Sequence, residues 1–278
     1  MIESLRNKFV KERFDLQEIL LVPVFATVLA LLIGCFFLLA TGESFANIFV
    51  AYSSLFIGSL GSLNAISETF TAATPLVFAA LGIALAFRAG LFNIGAEGQM
   101  IIGGLATVIV GFSIDFLPIW IHLPLALSIG ALFGALYAAI AGWLKAYTGA
   151  HEVISTIMLN LIALRLLDYV LRSPIIQKEG RNDPISKSIL DSAELPQILA
   201  FIDPQLRLHG GFLLMLVAVF FIYWLLFHTT IGYEFRATGA NPNAAKYAGI
   251  KAGLTIVLVM AIAGALAGLA GANQITGV

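Results

Sequence analysis

The chain has 278 residues and a mass of 29.7 kDa, with 60% hydrophobic residues, only 11% charged residues and a mean hydropathy of +0.97. A soluble domain carries roughly 25% charged residues, so this composition excludes an ordinary soluble enzyme and a disordered chain. The net charge of −1, from 15 basic and 16 acidic residues, leaves no cationic excess for a nucleic-acid backbone.

Residues 1–18 mix Arg6, Lys8, Lys11 and Arg13 with Glu3, Glu12, Asp15 and Glu18. Two readings fit this segment: an amphipathic interfacial helix over residues 4–18, with Leu5, Phe9, Phe14 and Leu16 partly sorted to one side, or a solvated tail. The apolar run that follows, residues 19–40, is longer than the roughly 7–15-residue core of a cleaved signal peptide, so it is read as a retained span. Cys35, the single cysteine, lies inside it and reads as a small buried hydrophobe.

A helical span needs about 20 apolar residues. Six further runs qualify or nearly so: 66–87, 96–112, 122–144, 153–171, 211–227 and 254–275. Strand-like alternation is absent and the bilayer offers the backbone no water, so the sequence predicts an all-α integral membrane protein, a polytopic bundle of about seven spans. With the N-terminus inside, nine of the fifteen Lys and Arg fall on the inner side, five on the outer side and Arg165 within a span. That bias predicts a cytoplasmic N-terminus. Residues 1–18 and 229–252 are then cytoplasmic, 172–207 form an outer loop, and 19–278 make one transmembrane domain. Gly130, Gly134, Ala138 and Gly142, and likewise Gly264, Gly268 and Ala272, recur every fourth residue and predict close helix packing.

Enzymatic motifs fail. No Gly-Lys dipeptide occurs, hence no P-loop, and His151-Glu152-Val153-Ile154-Ser155 has Ser155 where a zinc protease needs its second histidine. His122, His151, His209 and His228 are scattered. No metal ligand set and no catalytic group is assigned.

Three segments are unusually polar. Between the second and third runs lies Arg88-Ala-Gly-Leu-Phe-Asn-Ile-Gly-Ala-Glu97-Gly-Gln-Met. Asn93 suits the N-cap of the next helix, and Glu97 suits its first turn, where the dipole favours an anion. This is either a discontinuous helix lining a pathway or a capped turn at the membrane surface. Further on, Arg165 and Asp168 are spaced to pair on one helix, and Asn160 lies deeper in the same run. Finally, within 229–250, Asn241 can cap, Pro242 fits the first helical position and Gly249 can stop a two-turn helix, with Arg236, Lys246 and Tyr247 able to anchor it. A helix that short needs packing partners; the plainer reading is a decorated loop.

Gly90-Leu-Phe-Asn-Ile-Gly-Ala-Glu-Gly-Gln99, His151-Glu-Val-Ile-Ser-Thr-Ile-Met-Leu-Asn160 and Gly232-Tyr-Glu-Phe-Arg-Ala-Thr-Gly-Ala-Asn-Pro-Asn-Ala-Ala-Lys-Tyr-Ala-Gly-Ile250 stand in that order. Together they resemble the permease subunits of bacterial ABC importers for nucleosides and simple sugars. The Glu97-Gly98-Gln99 form is similar to the nucleoside branch rather than to the branched-chain amino-acid permeases. The resemblance implies a translocation subunit in the bacterial cell membrane, with Phe92, Asn93, Glu97, Gln99 and Asn160 as pathway candidates. It implies that Glu234, Arg236, Asn241, Pro242, Lys246, Tyr247 and Gly249 couple to a cytoplasmic ABC ATPase. The implied partners are that ATPase, which binds ATP and Mg, a second permease subunit and an extracytoplasmic substrate-binding protein; this chain itself holds no cofactor. Family members commonly carry more spans than seven, so the chain is expected to be a fragment. The alternative reading is an ATP-independent secondary transporter or channel, with Glu97 and Glu152 as proton or cation sites.

Overall fold

A computed structural model describes residues 16–277, with side chains placed from Leu20 onward. The segment read as an interfacial helix therefore lies almost wholly outside the described residues. Ten α-helices lie among the described residues, with no extended strand beyond two isolated bridges. Seven of these described helices are long and apolar enough to cross a membrane, and they coincide with the seven runs read from the sequence.

The chain divides into two compact units, residues 1–62 and 63–278. The first holds α1 (Leu16–Ala40) and α2 (Phe45–Leu60). Ser44 caps α2, its Oγ accepting the Asn47 amide at 3.2 Å, and the Tyr52 hydroxyl donates to the Leu31 carbonyl at 2.6 Å, tying α2 to α1. At 16 residues, α2 spans about 24 Å at 1.5 Å per residue, short of a bilayer core. The sequence reading missed it because its run carries Asn47, Tyr52 and three serines.

The second unit holds α3 (Leu63–Arg88), α4 (Ala96–Ser113), α5 (Ile119–Trp143), α6 (Glu152–Leu171), α7 (Gly211–His228), α8 (Thr230–Ala240), α9 (Pro242–Tyr247) and α10 (Ala252–Thr276). At its centre α10 packs against α5, α4 and α3. The predicted small-residue rows meet here. A Cβ added to Gly134 would lie 2.7 Å from the Gly268 Cα, and one added to Gly103 of α4 would lie 2.9 Å from the Gly130 carbonyl. Three backbones thus touch with no side chain between them, the close approach that substitutes for a hydrophobic drive in lipid. Around this seam Phe78, Leu85, Val259 and Met260 are fully buried.

Two connections are more ordered than composition suggests. Between α5 and α6 the helix loosens into a π-turn, Leu144–Thr148, and Lys145 reaches Glu152 at 2.8 Å. Residues 172–210 are pinned along their length: Leu190 N–H donates to Gly111 O at 2.9 Å, Leu195 N–H to Thr276 O at 2.7 Å, and Leu208 N–H to Ser67 Oγ at 3.0 Å. His122, fully buried at the start of α5, contacts Val110 O through Nε2 at 3.1 Å and Ser192 Oγ through Nδ1 at 2.7 Å. The carbonyl can only accept, so Nε2 donates to it. This histidine is a structural tie. Arg165 and Asp168, expected to pair, are both exposed, and no ion pair joins them among the described residues. Holding two long side chains in one geometry costs rotamer freedom comparable to the few tenths of a kcal/mol an i,i+3 pair returns.

Candidate functional site

The break between α3 and α4 is built from a helix stop and two amide clamps. α3 ends in a left-handed Gly90 (φ +71), with Leu91 N–H donating to Ala86 O at 2.9 Å and Gly90 N–H to Phe87 O at 3.0 Å. This pair of bonds is a Schellman stop. Gly90 is needed a second time: a Cβ there would sit 3.2 Å from the Cα of Gly239 at the end of α8.

Asn93 is buried and does not cap α4 as expected; the capping position is Gly95, without a side-chain bond. Instead Asn93 Oδ1 accepts the Gly95 amide two residues on at 2.9 Å, an Asx turn. The same oxygen accepts from Gln99 Nε2 at 3.0 Å, while Asn93 Nδ2 donates to Gln99 Oε1 at 3.1 Å. The two buried amides satisfy each other across the turn. Asn160 of α6 clamps the other side: its Oδ1 accepts the Gly98 amide and its Nδ2 donates to the Ile94 carbonyl, each at 2.9 Å. Gly95 and Gly98 leave room for α6, since a Cβ at either would lie 3.0 Å from Thr156 Cβ or Asn160 Cα.

Of the five pathway candidates, Asn93, Gln99 and Asn160 thus have their polar groups engaged within the break. Phe92 is half exposed and packs on Phe87, ring centroids 4.7 Å apart. Glu97, in the first turn of α4, is exposed and lines a cavity of about 490 Å³. One face of α4, from Glu97 through Ile101 and Leu105 to Val108, forms one wall. Leu167 and Leu171 of α6, Gln274 and Ile275 of α10, and Pro184–Ser186 complete it. No Lys, Arg or His is among the lining residues. Gln274 escaped the sequence reading; the only signal for it was an amide in the last turns of an otherwise apolar, Gly-rich run. Beside the cavity, Arg181 makes a two-point bond to Asp183, both N···O distances 2.9 Å, and these bonds hold the Asp183 carboxyl below its ordinary value.

The third polar segment is more helical than expected. α8 was not anticipated; Thr229 caps it, Oγ1 accepting the Gly232 amide at 3.0 Å. Glu234 and Arg236 lie on it, both half-buried, with Arg236 5.3 Å from the centre of the Phe227 ring. α9 follows the sequence reading closely. Asn241 Oδ1 accepts the Asn243 and Ala244 amides at 3.0 and 3.1 Å, Pro242 opens the helix, and Gly249 (φ +84) stops it. The buried Ala245 and Ile250 seat α9 on the membrane body. Lys246 is exposed and Tyr247 is 94% exposed, so two of the three expected anchors project away from the fold.

The model of the family described as branched-chain amino acid transport system / permease component matches residues 65–278. The guanosine ABC transporter permease protein NupP of Bacillus subtilis is 41% identical over 256 residues, 92% of this chain and 71% of its own length. The nucleoside ABC transporter permease protein NupB of Lactococcus lactis is 36% identical over 254 residues, 90% of this chain and 69% of its own. A glucose ABC transporter permease protein of Haloferax volcanii is 33% identical over 261 residues, 92% and 67% of the two chains. No solved structure matches. With seven membrane-length apolar helices and permease relatives along most of its length, this is a multi-pass membrane protein, and it belongs to the permease-component family that the match over residues 65–278 defines.

Proposed function

We propose that this chain is the transmembrane subunit of an ATP-driven importer, forming the translocation pathway for a nucleoside or simple sugar in a bacterial cell membrane. One observation carries the reading: the domain that is similar to guanosine and nucleoside permeases also places Glu97 in a cavity of about 490 Å³ running along α4. That volume lies within the roughly 300–1,000 Å³ of small-molecule sites.

The chain works with a second permease subunit, an extracytoplasmic binding protein and separate ATPase subunits that bind ATP and Mg. It performs no covalent chemistry. Residues 229–252 face the cytoplasm, and the exposed Lys246 and Tyr247 of α9 dock on the ATPase. ATP binding draws the ATPases together, α9 follows, and the spans exchange inward- and outward-facing states, an equilibrium biased by nucleotide.

The test is uptake into vesicles holding the full-length permease with its ATPase and binding protein, with and without ATP. ATP-dependent uptake of guanosine or glucose is expected. Uptake at the same rate without ATP overturns the reading in favour of a secondary transporter. Orientation is checked in a Cys35→Ser background: Ser188→Cys should label with an impermeant thiol reagent in intact cells, and Asn243→Cys should not. The opposite pattern removes the docking assignment.

A further inference from the structure

Two membrane-length helices, α3 and α7, end side by side at a pair of arginines that share one ring. Arg88 is the last residue of α3, and its guanidinium carbon lies 6.0 Å from the centre of the Phe227 ring, one residue before the end of α7. The guanidinium carbon of Arg236 on α8 lies 5.3 Å from the same ring. Backbone contact fixes the pair: a Cβ added to Gly239 would run into the Arg88 carbonyl and Ala89, so the end of α3 and the end of α8 cannot drift apart. Neither guanidinium joins an ion pair among the described residues. Glu234 is the one acidic residue of the chain beyond Asp203, and it stands two positions from Arg236, a spacing at which helix side chains do not face each other. Arg236 uses one N–H on the Gly232 carbonyl, at 3.4 Å, and Arg88 is exposed.

Phe227 is also the end of a stripe. Phe220, Tyr223, Trp224 and Phe227, spaced i, i+3, i+4 and i+7, are all exposed along one face of α7. The Tyr223 and Phe227 rings lie 5.3 Å apart. The stripe runs about 10 Å from the arginines toward the middle of the span. Along one line the surface therefore changes from cationic to aromatic to apolar, the order met on leaving water for hydrocarbon.

A guanidinium stacked on a ring keeps its in-plane N–H groups free, and their fork matches two oxygens of a phosphate. Two such charges near one ring repel each other, and an anion held by both removes that repulsion. A small soluble anion would use the arginines alone. A ligand with a phosphate and a long apolar chain uses the arginines and the stripe together.

We propose that Arg88 and Arg236, joined across Phe227, bind the phosphate of one anionic phospholipid whose acyl chain lies along residues 220–227. The site is independent of the solute carried and of the energy source for transport. A zwitterionic headgroup is disfavoured, because it brings its own ammonium beside the two arginines.

The test is native mass spectrometry of the full-length permease complex, stripped of lipid in detergent and titrated with dioleoyl phosphatidylglycerol or dioleoyl phosphatidylcholine. Glycerol 3-phosphate and inorganic phosphate serve as competitors that lack the chains. The first phosphatidylglycerol should bind about 30-fold tighter than phosphatidylcholine, the factor that two basic side chains give at a charged surface. Arg88→Gln should cut that preference about fivefold, and the Arg88→Gln, Arg236→Gln double change should abolish it. Lys178→Gln, which removes an exposed base from residues 172–210, should leave it unchanged. Phe220→Ala with Trp224→Ala should weaken both lipids by a similar factor, since it removes the chain contact and spares the headgroup contact.

Equal affinity for the two lipids, or an unchanged preference in the assembled double variant, overturns the proposal. Displacement of phosphatidylglycerol by inorganic phosphate at comparable concentration assigns the arginines to a free anion and overturns the lipid. If the double variant binds phosphatidylglycerol like wild type but loses a protein subunit, the patch is a protein contact and the proposal falls. Should the double variant fail to fold, the wild-type ratio and Arg88→Gln decide.

Discussion

The side-chain carbonyl of Asn160 accepts the backbone amide of Gly98 at 2.9 Å, across 62 positions of sequence, while its amide donates to Ile94 O. One side chain thereby supplies both a donor and an acceptor to a helix start that has no capping side chain of its own.

Removing this clamp leaves a backbone donor and a backbone acceptor unpaired. Asn160→Ala should destabilise the protein by about 1–3 kcal/mol. Asn160→Asp, which keeps the acceptor, should lose less. Thermal unfolding of the detergent-purified protein ranks the two. Equal stability of Asn160→Ala and wild type would show that the clamp contributes nothing.

The glycine seam predicts a contrast between two positions on α10. A Cβ at Gly264 meets the Gly134 backbone and Ala138, whereas at Gly253 the nearest atom is 3.8 Å away. Gly264→Leu should cost about 1–3 kcal/mol or more through overpacking and reduce the folded yield. Gly253→Ala should be silent or slightly stabilising, because alanine stiffens the helix. Monodispersity and melting temperature in detergent read both.

Acid should loosen the segment around His209. Burial, assisted by the Arg207 charge, holds this imidazole below its ordinary value, and Nδ1 accepts the Gly211 amide at 3.2 Å. The unfolded chain therefore binds more protons than the folded one between the folded value and about 6.5. Stability is fully present above that upper bound and is lost as pH falls through the window. The melting temperature should drop between pH 7.5 and pH 5.5 in wild type and drop less in His209→Gln, which accepts a bond without titrating. A larger drop in the variant would contradict this account.

The cap and the exposed face of α9 should separate folding from docking. Asn241→Ala removes the acceptor of two amides and should cost about 1 kcal/mol. Tyr247→Ala touches a side chain that is 94% exposed and should leave the melting temperature unchanged while weakening co-purification of the ATPase. Retention of the ATPase at wild-type level would remove Tyr247 from the docking surface.

The spans were legible because a bilayer demands apolar runs of fixed minimum length, and the α9 cap and stop were legible because Asn241, Pro242 and Gly249 act on their own neighbours. Asn93 was placed in the right turn with the wrong bond, since the same side chain serves a cap or an Asx turn and the choice depends on Gln99 across the break. The Lys145–Glu152 pair depends on a π-turn that no local pattern announces. The order within residues 172–210 comes from bonds to Gly111, Thr276 and Ser67, all distant in sequence. Gln274 gains meaning only when α10 is laid beside α4.

Gly90 and Gly239 meet backbone to backbone, with a gap that a single methyl group would overfill. A contact made through side chains can absorb a small shift by a rotamer change. This one has no such slack. Any advance of the end of α8 must carry the stop of α3 and the start of the break with it, and any retreat must open a void at the join. The two glycines act as a bearing surface rather than a cushion, so movement on the α8 side reaches Asn93, Gly95 and the first turn of α4 undiminished by side-chain compliance.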